Sequence, residues 1–128
     1  MNYTKREEGV VIVTPPVPLT DGGVERMLEE LASHLRKAEP YALVFDMTKT
    51  DTPTATQRKK LGDHMRTHDA SIRRFVRALA LIAPASTVRG IATAVFWVSP
   101  PPIAYRFFDA QAAALDWARE MLKGSTPS

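Results

Sequence analysis

Two rhythms of apolar and polar positions run along the chain. Val10 to Val13 is wholly β-branched and predicts a strand. With Asn2 to Arg6 it makes a short hairpin, bent at Glu7-Glu8-Gly9. From Asp21 to Ala38 the period changes. Val24, Met27, Leu28, Leu31, Leu35 and Ala38 form one helical stripe. Thr20 is its N-cap, Leu19 and Val24 are placed as a hydrophobic staple, and Pro40 ends it. Tyr41 to Met47 is apolar except for Asp46, which predicts a strand buried on both faces. Thr54 to Arg74 reads as a second long helix with a capping box of Thr54 and Gln57. Its stripe of Leu61, Met65, His68 and Ile72 is narrow. Phe75 to Ala83 is strand-like, and Ser86 caps a helix to about Val98. Pro100 to Pro102 stops that helix in an extended segment. Ile103 to Phe108 is a last short strand, and Asp109 caps a final helix to about Leu122. Leu115, Ala118, Met121 and Leu122 are its inward positions.

The predicted order is β-β-α-β-α-β-α-β-α. Apolar strands alternating with amphipathic helices give an α/β fold. A single domain over residues 1–123 is expected, with a mostly parallel sheet of four to five strands and about four helices. Residues 124–128 have the composition of a flexible tail. No repeat and no dividing linker is visible.

Composition narrows the class. A chain of 128 residues buries roughly two-thirds of the surface of its unfolded form. It therefore needs no metal or disulfide to hold a core. It has no cysteine, which excludes disulfides, thiolate metal sites and a cysteine nucleophile. The net charge of +3 is mildly basic and predicts no nucleic-acid partner. The charged start and the early prolines fit no signal peptide, and Ile91 to Val98 is too short to span a membrane. A soluble, cytoplasmic protein without membrane association is expected.

The order of elements resembles the sulfate-transporter and anti-sigma-antagonist (STAS) domain. Tyr41-Ala-Leu-Val-Phe-Asp-Met47 looks like its central strand ending in an acidic residue. Thr54 onward looks like the helix after the family's switch loop. Val88 to Pro102 looks like a segment of bacterial STAS-like proteins. The resemblance covers roughly residues 2–122. It implies a small regulatory or scaffolding domain without catalysis. In the antagonists a serine or threonine at the start of this helix is phosphorylated. The family's Asp-Ser pair is absent here, and Thr52, Thr54 and Thr56 are the hydroxyls in register. The fold also resembles the much larger lipid-transfer proteins of the CRAL-TRIO type.

Four clusters carry candidate chemistry. The loop with Thr48, Thr50, Thr52, Thr54 and Thr56 is either a phospho-acceptor or anion site, or a plain turn and cap. His64 and His68, four apart, share a helix face as a metal pair does. A third ligand is missing, so a hydrogen-bonded histidine is the preferred reading, with no metal and no cofactor. Residues 58–77 carry seven basic and two acidic side chains, and Lys59, Arg66 and Arg73 recur on one face. That face is solvated and laced by pairs such as Lys59–Asp63, or it meets an acidic protein. The 86–98 helix is apolar nearly all round: Val88, Ile91, Ala92 and Val95 face the core. Gly90, Ala94 and Trp97 make a second apolar face and, with Arg89 and Pro101, an expected interface, unless Trp97 and Phe96 simply pack under Pro100 to Pro102 or the last helix.

The leading expectation is a non-catalytic STAS-like interaction domain that binds a protein partner and itself. Residues 86–102 and the threonine loop would form its contact surfaces. The alternative is a carrier of a small ligand or lipid. It would use the crevice near Asp46 to Thr56, at the carboxyl ends of the strands. An enzyme built around His64, His68 or Asp46 ranks last.

Overall fold

The computed structural model describes residues 2–84, 86–98 and 100–124, leaving aside the side chains of Thr87, Val88, Ile91, Val95 and Val98. Five strands, β1 (Thr4–Glu7), β2 (Val10–Val13), β3 (Tyr41–Asp46), β4 (Val76–Ile82) and β5 (Tyr105–Phe108), form one sheet in sequence order. β1 is antiparallel to β2, and the remaining pairs are parallel. The hairpin turns at Glu8 and Gly9, both with positive φ (49° and 80°). A two-residue turn of that hand matches the twist of its strands. Gly9 is also tucked under Leu122, whose Cδ2 lies 2.6 Å from where a β-carbon would stand.

The helices are α1 (Asp21–Arg36), α2 (Ala55–Thr67), α3 (Asp69–Phe75), α4 (Ser86–Val98) and α5 (Gln111–Gly124). Among the described residues there are five, not four, because the second predicted helix breaks at His68, whose φ of −105° and ψ of 15° are not helical. The last strand is shorter than expected and starts at Tyr105. α5 starts at Gln111, and Asp109 pairs with Arg89 instead of capping it. Gly124 still belongs to α5, and the rest of the expected tail, 125–128, lies outside the described residues.

Strand alternation sends side chains to two layers. Val10, Ala42, Val44, Ala80 and Ile82 meet Ala114 and Ala118 of α5. The small alanines let this lone helix lie close to the sheet. Val11, Val13, Tyr41 and Val76 face Met27, Leu31 and Leu35 of α1. A register shift between β3 and β4 sets Tyr41 opposite Val76 but Leu43 opposite Leu79. The extra residue on β4 reverses its alternation, so Val76 and Leu79 point to the same side.

Two polar hubs tie the layers. Glu30 of α1 accepts the backbone N–H groups of Tyr3 (2.9 Å) and Thr4 (3.0 Å) and the Thr4 hydroxyl (2.9 Å). The same hydroxyl lies 3.0 Å from His34 Nε2. This cluster holds β1 against α1. Gln57 is buried at the start of α2. It completes the capping box with Thr54 and donates to the Leu19 carbonyl and to Asp21, both at 3.0 Å. No helix among the described residues is long and apolar enough to cross a membrane.

Candidate ligand-binding site

β3 is flanked on both sides by parallel strands, so both its faces should be covered. Yet Leu43 and Phe45, on the face turned to α1, are only partly buried. Above them lies a cavity of about 200 Å³. Its floor is Leu43, Phe45, Leu79 and Leu81 of the sheet. Its walls come from Met27 and Leu31 of α1, Leu61, His64 and Met65 of α2, and Ile72 of α3. Ala92 and Phe96 of α4, with Pro101 to Ile103, form a further wall, and the pocket is partly open to solvent. Nearly every wall side chain is apolar. Thr50, Asp51 and His64 are the polar ones among them.

Polar and aromatic contacts at the rim fix the surrounding elements. Asp51 accepts the Leu19 N–H at 3.0 Å, which with Gln57 stitches the threonine loop to the start of α1. Arg89 Nε donates to the Ala83 carbonyl at 2.6 Å, and Arg89 pairs with Asp109, so the start of α4 is held to the ends of β4 and β5. Phe96 meets Tyr105 edge to face, 4.9 Å between centroids. The helices are thus propped apart from the sheet.

His64 is the unusual wall residue. Burial, with the His68 imidazole 4.6 Å away as a lesser cause, pushes its pKa down to about 4. Its ring is therefore neutral at pH 7, with one N–H donor and one bare nitrogen acceptor. The Thr50 hydroxyl is buried and has no hydrogen-bond partner among the described residues.

The other expected residues fall elsewhere. Thr54 is a cap, and Thr52 and Thr56 are exposed beside it. Asp46 accepts the Thr48 N–H and hydroxyl, at 3.0 and 2.6 Å. The basic face is paired: Lys59 and Arg66 with Asp63, and Arg73 with Asp69. Such exposed pairs contribute little to stability. Gly90, Ala94 and Trp97 are exposed on α4, Trp97 at 85%. Pro101 borders the cavity. Ala92 is buried as expected, whereas the side chains of Val88, Ile91 and Val95 lie outside the described residues. Among the described residues no group of three or more His, Asp or Glu is placed to hold a metal ion.

No family model matches the sequence, and no curated protein matches it. A solved structure does. It is an uncharacterized protein of the DUF3478 family from Shewanella loihica PV-4 with a SpoIIAA-like fold. The match covers 90% of each chain, with a TM-score of 0.62 and 19% sequence identity. The chain has a SpoIIAA-like, that is STAS-like, fold. Identity at that level carries the architecture and no activity.

The depressed pKa of His64 makes stability depend on pH. The folded state favours the neutral ring, so this contribution is complete above the ordinary value of 6.5 and is lost as pH falls from there toward about 4. His34, also buried and lowered, acts in the same direction. The melting temperature is expected to fall between pH 7 and pH 5, and to fall less in His64→Leu. Equal losses in the two proteins would show that His64 is not held neutral.

Proposed function

We propose that this protein is a non-catalytic binder of a small, mainly apolar molecule, held between the sheet and the α1–α4 layer. The cavity of about 200 Å³ carries this reading. A pocket of this size leaves apolar side chains of the sheet and helices uncovered, which forgoes burial that would otherwise stabilise the fold. A void that only weakened the fold could be filled by one larger side chain at Ala92, which is buried and faces it. Its size sets the ligand. An engineered apolar cavity of about 150 Å³ takes up benzene, so this one suits roughly eight to ten non-hydrogen atoms. The floor runs along the face of the sheet to the carboxyl end of β3, where Met47, Thr50 and Asp51 border the pocket, and open α/β sheets bind ligands near that edge.

Naphthalene, with ten carbons, is a fitting probe. A ¹H–¹⁵N titration is expected to move the amides of Leu43, Phe45, Leu79 and Ala92 and to saturate. Ala92→Phe, which fills the space, should weaken binding at least about tenfold with an unchanged or higher melting temperature. Absence of saturable shifts in the folded wild type would refute the reading.

A second reading rests on a different observation. The outer face of α4 leaves Gly90, Ala94 and Trp97 exposed, and an uncovered indole beside small residues suits contact with a protein partner or a second copy. A regulatory or scaffolding role would use this face, with Thr52 and Thr56 as accessible hydroxyls in the neighbouring loop. Under this reading the wild type runs in solution as a dimer or larger, and Trp97→Asp runs as a folded monomer. A folded variant with unchanged mass would count against it.

A further inference from the structure

The ligand's polarity can be taken one step beyond its size. Resting on the proposed cavity, we infer that the molecule is an uncharged amphiphile with one hydroxyl or carbonyl group, which hydrogen-bonds the imidazole of His64. The class is a medium-chain or aryl-alkyl alcohol, aldehyde or ketone.

Three observations lead there. First, His64 lines an otherwise apolar chamber together with Leu61, Met65 and Ile72. A neutral imidazole offers both a donor and an acceptor, so it can receive either an alcohol or a carbonyl. His64 is only half-buried, so a ligand group bonded to its ring takes the place of water. Second, no lysine or arginine lines the cavity among the described residues. A ligand carboxylate would lose its hydration with no cation to replace it. Third, the acid on the wall, Asp51, is already engaged with the Leu19 N–H, and its charge opposes a second anion. The Thr50 hydroxyl, buried without a partner among the described residues, is another polar group on the same wall.

Burial holds the imidazole neutral at physiological pH. A neutral ring gives a carboxylate no charge to pair with and leaves hydrogen bonding as the means of recognition. A hydrocarbon would bind by size alone. An amphiphile of the right class gains one further bond, worth about fivefold in affinity.

The test is a matched series at pH 8: propylbenzene, 3-phenyl-1-propanol and 3-phenylpropanoate, titrated by calorimetry into wild type and His64→Phe. In the variant the alcohol is expected to weaken about fivefold relative to propylbenzene, because the phenyl ring keeps the volume and drops the nitrogens. In the wild type the carboxylate should bind at least about tenfold more weakly than the alcohol. A readout that needs no variant is the ¹⁵N shift of the His64 ring nitrogens. It should move when the alcohol binds and stay still with propylbenzene. Equal weakening of alcohol and hydrocarbon, a still imidazole, or preference for the carboxylate would overturn the inference and leave the apolar site standing. If none of the three binds, the site itself fails.

Discussion

β3 lies in the middle of the sheet, and the apolar side chains on both its faces must be kept from water. Its two faces are covered in different ways. On one, α5 presents Ala114 and Ala118 and lies flat on Ala42, Val44 and Ala80. There Ala114 and Ala118 meet Ala42 and Ala80, with Val10, Val44 and Ile82 beside them. On the other, the four helices α1 to α4 share the work. α1 covers Val11, Val13 and Tyr41, while Leu43 and Phe45 are left partly open. The bulge in β4 turns Val76 and Leu79 toward the same side and fixes the floor of the cavity.

What keeps the helices from settling onto that floor is polar. Gln57 and Asp51 bind the start of α1 to the loop before α2. Arg89 binds α4 to the ends of β4 and β5 through Ala83 and Asp109. These bonds are directional, so they set separations that apolar packing alone would reduce. Pro101 and Pro102 then line one side with a segment that cannot become helix. α4 thereby presents two faces at once. Ala92 and Phe96 meet the cavity, and Gly90, Ala94 and Trp97 meet solvent.

Local pattern carried most of the fold. The β-branched run at Val10–Val13, the Thr20 cap and the Thr54–Gln57 capping box are read from neighbours in sequence, and each forms as expected. The break at His68 was hidden, because neither proline nor glycine marks it and the apolar stripe runs through. Glu30 was hidden for another reason. Its partners, Tyr3 and Thr4, lie 26 to 27 residues away, and a lone glutamate on a helix gives no sign of an acceptor role. The cavity is a property of the spacing between elements, which no single stretch records. The crevice near Asp46 to Thr56 was legible from topology, and Thr50 and Asp51 do border the cavity. His64 stood out only through its spacing to His68. Its place on the cavity wall depends on which side of α2 faces the sheet.

The central claim is that the gap over β3 is a ligand site and not a packing fault. The most direct measurement is the melting temperature at increasing free naphthalene. A ligand that binds only the folded state stabilises it by RT ln(1 + [L]/Kd). The account predicts a midpoint that climbs with naphthalene concentration in the wild type. A midpoint that stays level, or falls, up to the solubility limit would contradict it.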